Sequence, residues 1–232
     1  MQGTSNGHEI KKSFTQDGYV ALPGFFSQSE LGELLALFDE LEREFADKPV
    51  PPSFRLERSG CGSLGATLND HPVAREMSQH PRLREVTEAI VGPDFQMGSI
   101  GSWITKKGYG QGWHQDSFTD EPGQFVVNRL IYAREVPSNG GPLYVVPGSH
   151  RMGDMPAGGN QDSLPGEMAM PVAAGTLVFL HSRCYHRVAI NQSERPRIQL
   201  NTRVIPAEAR EDMTYRAIYR TGRWDFRENK EW

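Results

Sequence analysis

Cysteine is nearly missing from this chain. Cys61 and Cys184 are the only two among 232 residues, too few for a disulfide-stapled fold. No apolar run approaches the length that crosses a bilayer, and the first residues are polar where a secretory leader would be apolar. A basic excess is missing as well: 25 Lys and Arg stand against 29 Asp and Glu, a formal charge of −4. Without a positive field to meet a phosphate backbone, nucleic acid is not an expected partner, and neither is a membrane. These absences predict a reduced, cytoplasmic protein. Cys184 lies close to His186 and is read as a small packed residue in preference to a soft metal ligand.

Glycine and proline are plentiful, at 24 and 16 residues, which favours many turns over long helices. Residues 1–12 read as a flexible polar lead-in, and Gly18 to Phe26 as a short strand ending in a turn. Ser27 followed by Glu30 makes a capping-box pattern, after which Leu31, Leu34, Leu35, Phe38, Leu41 and Phe45 recur at helical spacing. An amphipathic helix is expected over 28–46. A second helical stretch covers 73–91, interrupted at His80-Pro81 and stopped at Gly92.

From about residue 95 the pattern turns to short β-rich runs near 97–105, 112–118, 125–136, 143–147, 176–180, 184–190 and 197–205. This predicts one mainly β domain, a sandwich over 95–205 carrying a helical layer from 13–92 and a C-terminal extension over 206–232. Segments 47–65 and 151–170, rich in Gly and Pro, are expected to be irregular, either as lids or as plain surface connections.

Within the run at 112–118, His114 and Asp116 are two residues apart, and on a strand such side chains point the same way while Gln115 points oppositely. Two ligands hold a divalent ion poorly, so a third is needed, and His150, His181 and His186 are the contenders. Two imidazoles and one carboxylate on one face of an octahedral ion leave three positions open, which suits ferrous iron in oxygen chemistry. A closed zinc site would show four ligands, usually with Cys. On the last strand Arg197, Gln199, Asn201 and Arg203 share one face and Ile198, Leu200 and Val204 the other, so either the domain interior is unusually polar or the polar side pairs with the helices.

Four blocks now stand in order: His114-Gln115-Asp116, Asn139 through His150, Phe179 through His186, and Asn191 through Arg197. Their order and spacing resemble the phytanoyl-CoA dioxygenase family of iron(II)/2-oxoglutarate oxygenases, over about residues 14 to 205. The resemblance implies a double-stranded β-helix, a jelly roll or cupin-like sandwich. It implies iron ligands at His114, Asp116 and His186, and it leaves His150 and His181 as structural histidines. It also implies that Arg197, eleven residues beyond His186, binds the far carboxylate of 2-oxoglutarate. Guanidinium suits that task because it grips a carboxylate bidentately and stays charged where water is scarce.

The implied activity is hydroxylation of a small-molecule substrate, of natural-product or secondary-metabolite type, with Fe(II) as cofactor, 2-oxoglutarate and O2 consumed, and succinate and CO2 as co-products. Desaturation, cyclisation or epimerisation with the same cofactors is the alternative, and a catalytically silent jelly-roll binding protein the non-enzymatic one. Asn128 is expected at the cosubstrate, and Phe118, Trp113, Arg55 and Arg129 at the substrate. Trp224 and Trp232 in the tail suit docking on the same chain or a homodimer contact, so monomer and homodimer both remain open.

Overall fold

The computed structural model describes residues 3–50, 64–118, 121–159, 161–219 and 222–225. In chain order its elements are α1 (Gly3–Asp17), β1 (Tyr19–Leu22), α2 (Gly32–Phe45), β2 (Leu64–Thr67), α3 (Pro72–Ser78), α4 (Pro81–Val91), β3 (Gln96–Thr105), β4 (Gln111–His114), β5 (Val127–Tyr132), β6 (Leu143–Val145), β7 (Met168–Met170), β8 (Thr176–His181), β9 (His186–Val188), β10 (Arg197–Ile205), β11 (Arg216–Tyr219) and β12 (Gly222–Asp225).

The helices form where side-chain spacing and breakers say they should. In α2, Leu34, Leu37, Phe38, Leu41 and Phe45 make one buried stripe. The Ser27–Glu30 box closes reciprocally, with the Ser27 amide donating to Glu30 Oε2 at 2.7 Å and the Glu30 amide to Ser27 Oγ at 3.4 Å. It caps a turn that leads into α2 at Leu31. Pro72 and Pro81 each open a helix, and α4 stops at Gly92, whose φ of 96° only glycine adopts without strain.

Two antiparallel sheets face each other. The larger has the strand order β1-β8-β5-β10-β3-β2 and the smaller β4-β9-β6-β7. Alternation divides the larger sheet cleanly. Val127, Ile131, Leu177, Phe179, Ile198, Leu200 and Val204 pack with the helical residues Phe38, Leu41 and Leu83. On the opposite face Leu130, Tyr132, Val178 and Leu180 pack against Leu143, Val145 and Val188 of the smaller sheet. Burying each such aliphatic or aromatic side chain contributes roughly 1.5–3 kcal/mol. This is a double-stranded β-helix with a helical layer on one side.

Several expectations are corrected. The supposed lead-in at 1–12 is most of α1, because Ile10 and Phe14, one helical turn apart, are buried in the helical layer. Two apolar residues in a polar stretch give little periodic signal, and docking on α4 supplies the stability instead. Short strands β2 and β7 edge the sheets inside segments expected to be irregular, and β11 and β12 pair as a hairpin in the C-terminal extension. The run at 112–118 is a strand only as far as His114. Beyond it, Gln115 makes an isolated bridge to Ile218.

Candidate metal centre

His114 and His186 face each other across the smaller sheet, in register between β4 and β9, with ring centroids 4.2 Å apart. The close approach of these strands needs a glycine just before β4: a Cβ on Gly110 would lie 2.6 Å from the Val188 carbonyl oxygen. Asp116 follows two residues on, anchored by its amide donating to the Ser182 carbonyl at 2.6 Å. Its Oδ1 is 3.5 Å from His114 Nε2 and its Oδ2 3.9 Å from His186 Nε2. One ligand atom from each of the three side chains lies within 4.8 Å of the others.

Both rings are held in the tautomer that ligation needs. His114 Nδ1 donates to the Gly112 carbonyl and His186 Nδ1 to the Cys184 carbonyl, each at 2.7 Å and each two residues back. A carbonyl only accepts, so Nδ1 carries the proton and Nε2, which faces Asp116, is the nitrogen left to bind a metal. Burial, followed by the neighbouring His114, pushes His186 down to about 4, so it is neutral near pH 7. Burial works against the Asp116 carboxylate, but its interactions with His114, His186 and Arg203 outweigh it and hold Asp116 well below the usual carboxylate range. Two neutral imidazole nitrogens and one anionic oxygen fit a borderline divalent ion such as iron(II).

These three side chains form one wall of a pocket between the sheets, and Arg197, Gln199, Asn201 and Arg203 of β10 line another. The polar face of β10 therefore points inward, as one of the two readings required. Arg197 is 4% exposed, and its Nη2 donates to Tyr132 Oη at 2.8 Å and to Gln199 Oε1 at 2.6 Å. Its Nε is buried without a partner, and among the described residues no carboxylate pairs with it. A buried guanidinium held by neutral groups alone fits an incoming carboxylate.

Asn128 binds the machinery together. Its Nδ2 donates to Asp116 Oδ2 at 2.8 Å, and its Oδ1 accepts from Asn201 Nδ2 at 2.9 Å and Arg203 Nε at 3.0 Å. Expected at the cosubstrate, it lines the pocket but also orients Asp116. Tyr132 was not anticipated. Its even-numbered parity with Asn128 on β5 was the available signal, masked because an aromatic residue in a sandwich ordinarily reads as core.

Other expected residues lie elsewhere. Trp113 points to the outer side of the smaller sheet, stacked on Tyr185 at 5.1 Å with its Nε1 donating to the Asp162 carbonyl at 2.8 Å. Strand alternation forces this, since its neighbour His114 faces inward. Arg129 faces the helices, where Nε donates to the Thr202 carbonyl, Nη1 to Thr87 Oγ1 and Nη2 to the Ser78 carbonyl. Neither residue lines the pocket. Phe118 is absent from the lining too, and carries the Arg216 guanidinium 5.2 Å from its ring centre. Arg55 lies outside the described residues.

Segment 151–170 covers Trp113 rather than the pocket: the Gly158 amide donates to the Trp113 carbonyl, and Tyr185 Oη to the Pro156 carbonyl. His181 stacks on Phe125 and accepts from the Arg183 amide, while His150 meets the Thr15 carbonyl. Among the described residues, the cluster that could hold a metal includes neither.

A model of the phytanoyl-CoA dioxygenase family matches residues 14–199, most of the chain. The protein belongs to the phytanoyl-CoA dioxygenase family. Among curated members of similar sequence, the ectoine dioxygenase of Bordetella bronchiseptica is 25% identical over 220 residues, covering 80% of this chain and 71% of that protein. Among solved structures, the epimerase SnoN in complex with Fe3+, alpha ketoglutarate and nogalamycin RO superposes with a TM-score of 0.68 at 20% identity, covering 94% of this chain and 87% of SnoN. HygX from Streptomyces hygroscopicus, with nickel and 2-oxoglutarate bound, gives a TM-score of 0.68 at 16% identity over 86% and 87% of the two chains. Together they place this phytanoyl-CoA dioxygenase family member on the double-stranded β-helix fold of iron/2-oxoglutarate oxygenases. No helix among the described residues is long and apolar enough to cross a membrane.

Proposed function

We propose that this protein is a non-haem iron(II)- and 2-oxoglutarate-dependent dioxygenase that hydroxylates a small-molecule substrate in the cytoplasm. The observation that carries this reading is one pocket holding both the His114-Asp116-His186 ligand set and the carboxylate-free, buried guanidinium of Arg197. Bound iron with its cosubstrate supplies the oxidising power to insert one oxygen atom of O2 into a C–H bond, the other ending in succinate as CO2 is lost.

The chain's own residues do the rest. His114, Asp116 and His186 would hold the metal in the wall of the pocket. Arg197 takes the far carboxylate of 2-oxoglutarate, steadied by Tyr132 and Gln199. Leu130, Leu143, Leu180 and Val188 add an apolar part to the lining. Because a carboxylate occupies the third protein position, no place is left there for a halide, which favours hydroxylation over halogenation. A second reading, epimerisation or cyclisation with the same cofactors, draws on the fold shared with the epimerase SnoN.

The test is an anaerobic titration with Fe(II) and 2-oxoglutarate, followed by exposure to O2 and mass spectrometry across a metabolite panel. Succinate release with a product heavier by one oxygen supports the hydroxylase. A product of unchanged mass or lighter by two hydrogens selects the second reading. Failure to bind metal and 2-oxoglutarate ends both.

A further inference from the structure

The hydrogen bonds between β5 and β10 can be oriented one atom at a time, starting from a group whose role is never in doubt. Arg203 Nε carries a hydrogen and only donates, so the Asn128 atom 3.0 Å away is the oxygen. That oxygen lies 2.9 Å from the Asn201 amide, which must turn Nδ2 toward it. Reversing Asn201 would set two oxygens against each other, so neither amide is free to flip. Asn201 Oδ1 is thereby directed elsewhere. It is buried and has no hydrogen-bond partner, on a side chain that is 5% exposed and lines the pocket.

An acceptor buried without a donor is destabilising, and few such atoms persist in proteins without a use. 2-Oxoglutarate does not satisfy it, since both carboxylates and the keto group are themselves acceptors at neutral pH. A donor on the substrate does. Charge narrows the choice: Arg197 and Arg203 bring two positive charges to the lining against one negative charge from Asp116. A divalent ion and a dianionic cosubstrate cancel one another, so the lining stays positive and disfavours an ammonium group.

We propose that Asn201 Oδ1 is a specificity-determining contact that selects substrates bearing a neutral hydrogen-bond donor, a hydroxyl or an amide N–H, on the side that faces β10. The assignment rests on the oxygenase reading, which puts the substrate in this pocket.

The test uses the full chain loaded with Zn(II), which does not turn over, and 2-oxoglutarate. The probes are matched pairs read by ligand-observed NMR: cyclohexanol with cyclohexyl methyl ether, and 2-piperidone with its N-methyl derivative. The hydroxyl and N–H members bind, and methylation weakens each by about tenfold or more. Asn201→Leu abolishes that preference, and Arg203 Nε still donates to Asn128 Oδ1 in the variant. Equal binding within each pair, as expected if an ordered water satisfies Oδ1, overturns the assignment. So does failure of the donor-bearing probes to bind, or a preference that survives in Asn201→Leu. The comparison on the unsubstituted chain decides the matter even if the variant does not fold. Loss of Zn(II) and 2-oxoglutarate binding itself would mark failure of the oxygenase reading, and this assignment would fall with it.

Discussion

Asn128 donates to Asp116 across 2.8 Å, joining the larger sheet to the metal wall of the smaller one. A carboxylate ligand on an irregular stretch just past β4 thus takes its orientation from a rigid central strand. Asn128→Ala is expected to weaken metal affinity by about 10- to 100-fold, the usual effect of losing a group that orients a ligand, with the ligands themselves intact. Anaerobic titration with Fe(II) reads this directly, and an unchanged affinity would show Asn128 to be a cosubstrate contact only.

Removal of a ligand acts more sharply. Replacing His114, Asp116 or His186 with Ala leaves two protein donors, and none of these variants should retain iron through gel filtration. Retention by His186→Ala would point to a different third ligand.

Arg197 separates cosubstrate binding from metal binding. Hydrogen bonds to charged groups are worth roughly 1.5–3 kcal/mol each, so Arg197→Lys, which keeps the charge but loses the fork, should lower 2-oxoglutarate affinity by about tenfold and Arg197→Ala by about a hundredfold. Calorimetry with the metal-loaded protein checks both, and Fe(II) affinity without cosubstrate should not change.

Acid sensitivity follows from the buried histidines. Burial, with His150 and Arg183 adding to it, pushes His181 down to about 3 from its ordinary 6.5. The unfolded chain takes up a proton there below about pH 6.5 that the native chain refuses until about pH 3. This contribution is therefore complete above about pH 6.5 and declines as the pH falls through that window. His181→Asn, whose oxygen still accepts from the Arg183 amide, should flatten this part of the stability profile in chemical denaturation between pH 6.5 and 4.

Substitution of Arg129 separates a structural role on the helical side from a part in the pocket. Its guanidinium ties Thr202, Thr87 and Ser78 on the helical side, and burial lowers its pKa to about 9. Arg129→Met should cost about 2–4 kcal/mol in urea denaturation by stranding those acceptors, yet leave 2-oxoglutarate affinity per folded molecule unchanged.

Local sequence determined a good deal. The capping box at Ser27 and Glu30, the stripe from Leu34 to Phe45 and the break at His80-Pro81 depend on neighbours within a turn or two, so they are legible in one dimension. The same holds for the polar and apolar faces of β10, since alternation belongs to the strand itself. Asp116, past the end of β4, is instead set beside His114 by its amide bond to the Ser182 carbonyl. Tertiary structure decided which way those faces look. Only the β4–β9 register sets His186 opposite His114, and only the packing of the helices on one face of the larger sheet sends Arg129 away from the pocket while Asn128 and Arg197 enter it. Residues far apart in the chain meet according to register and layer order, and neither quantity is written in the spacing of any single segment.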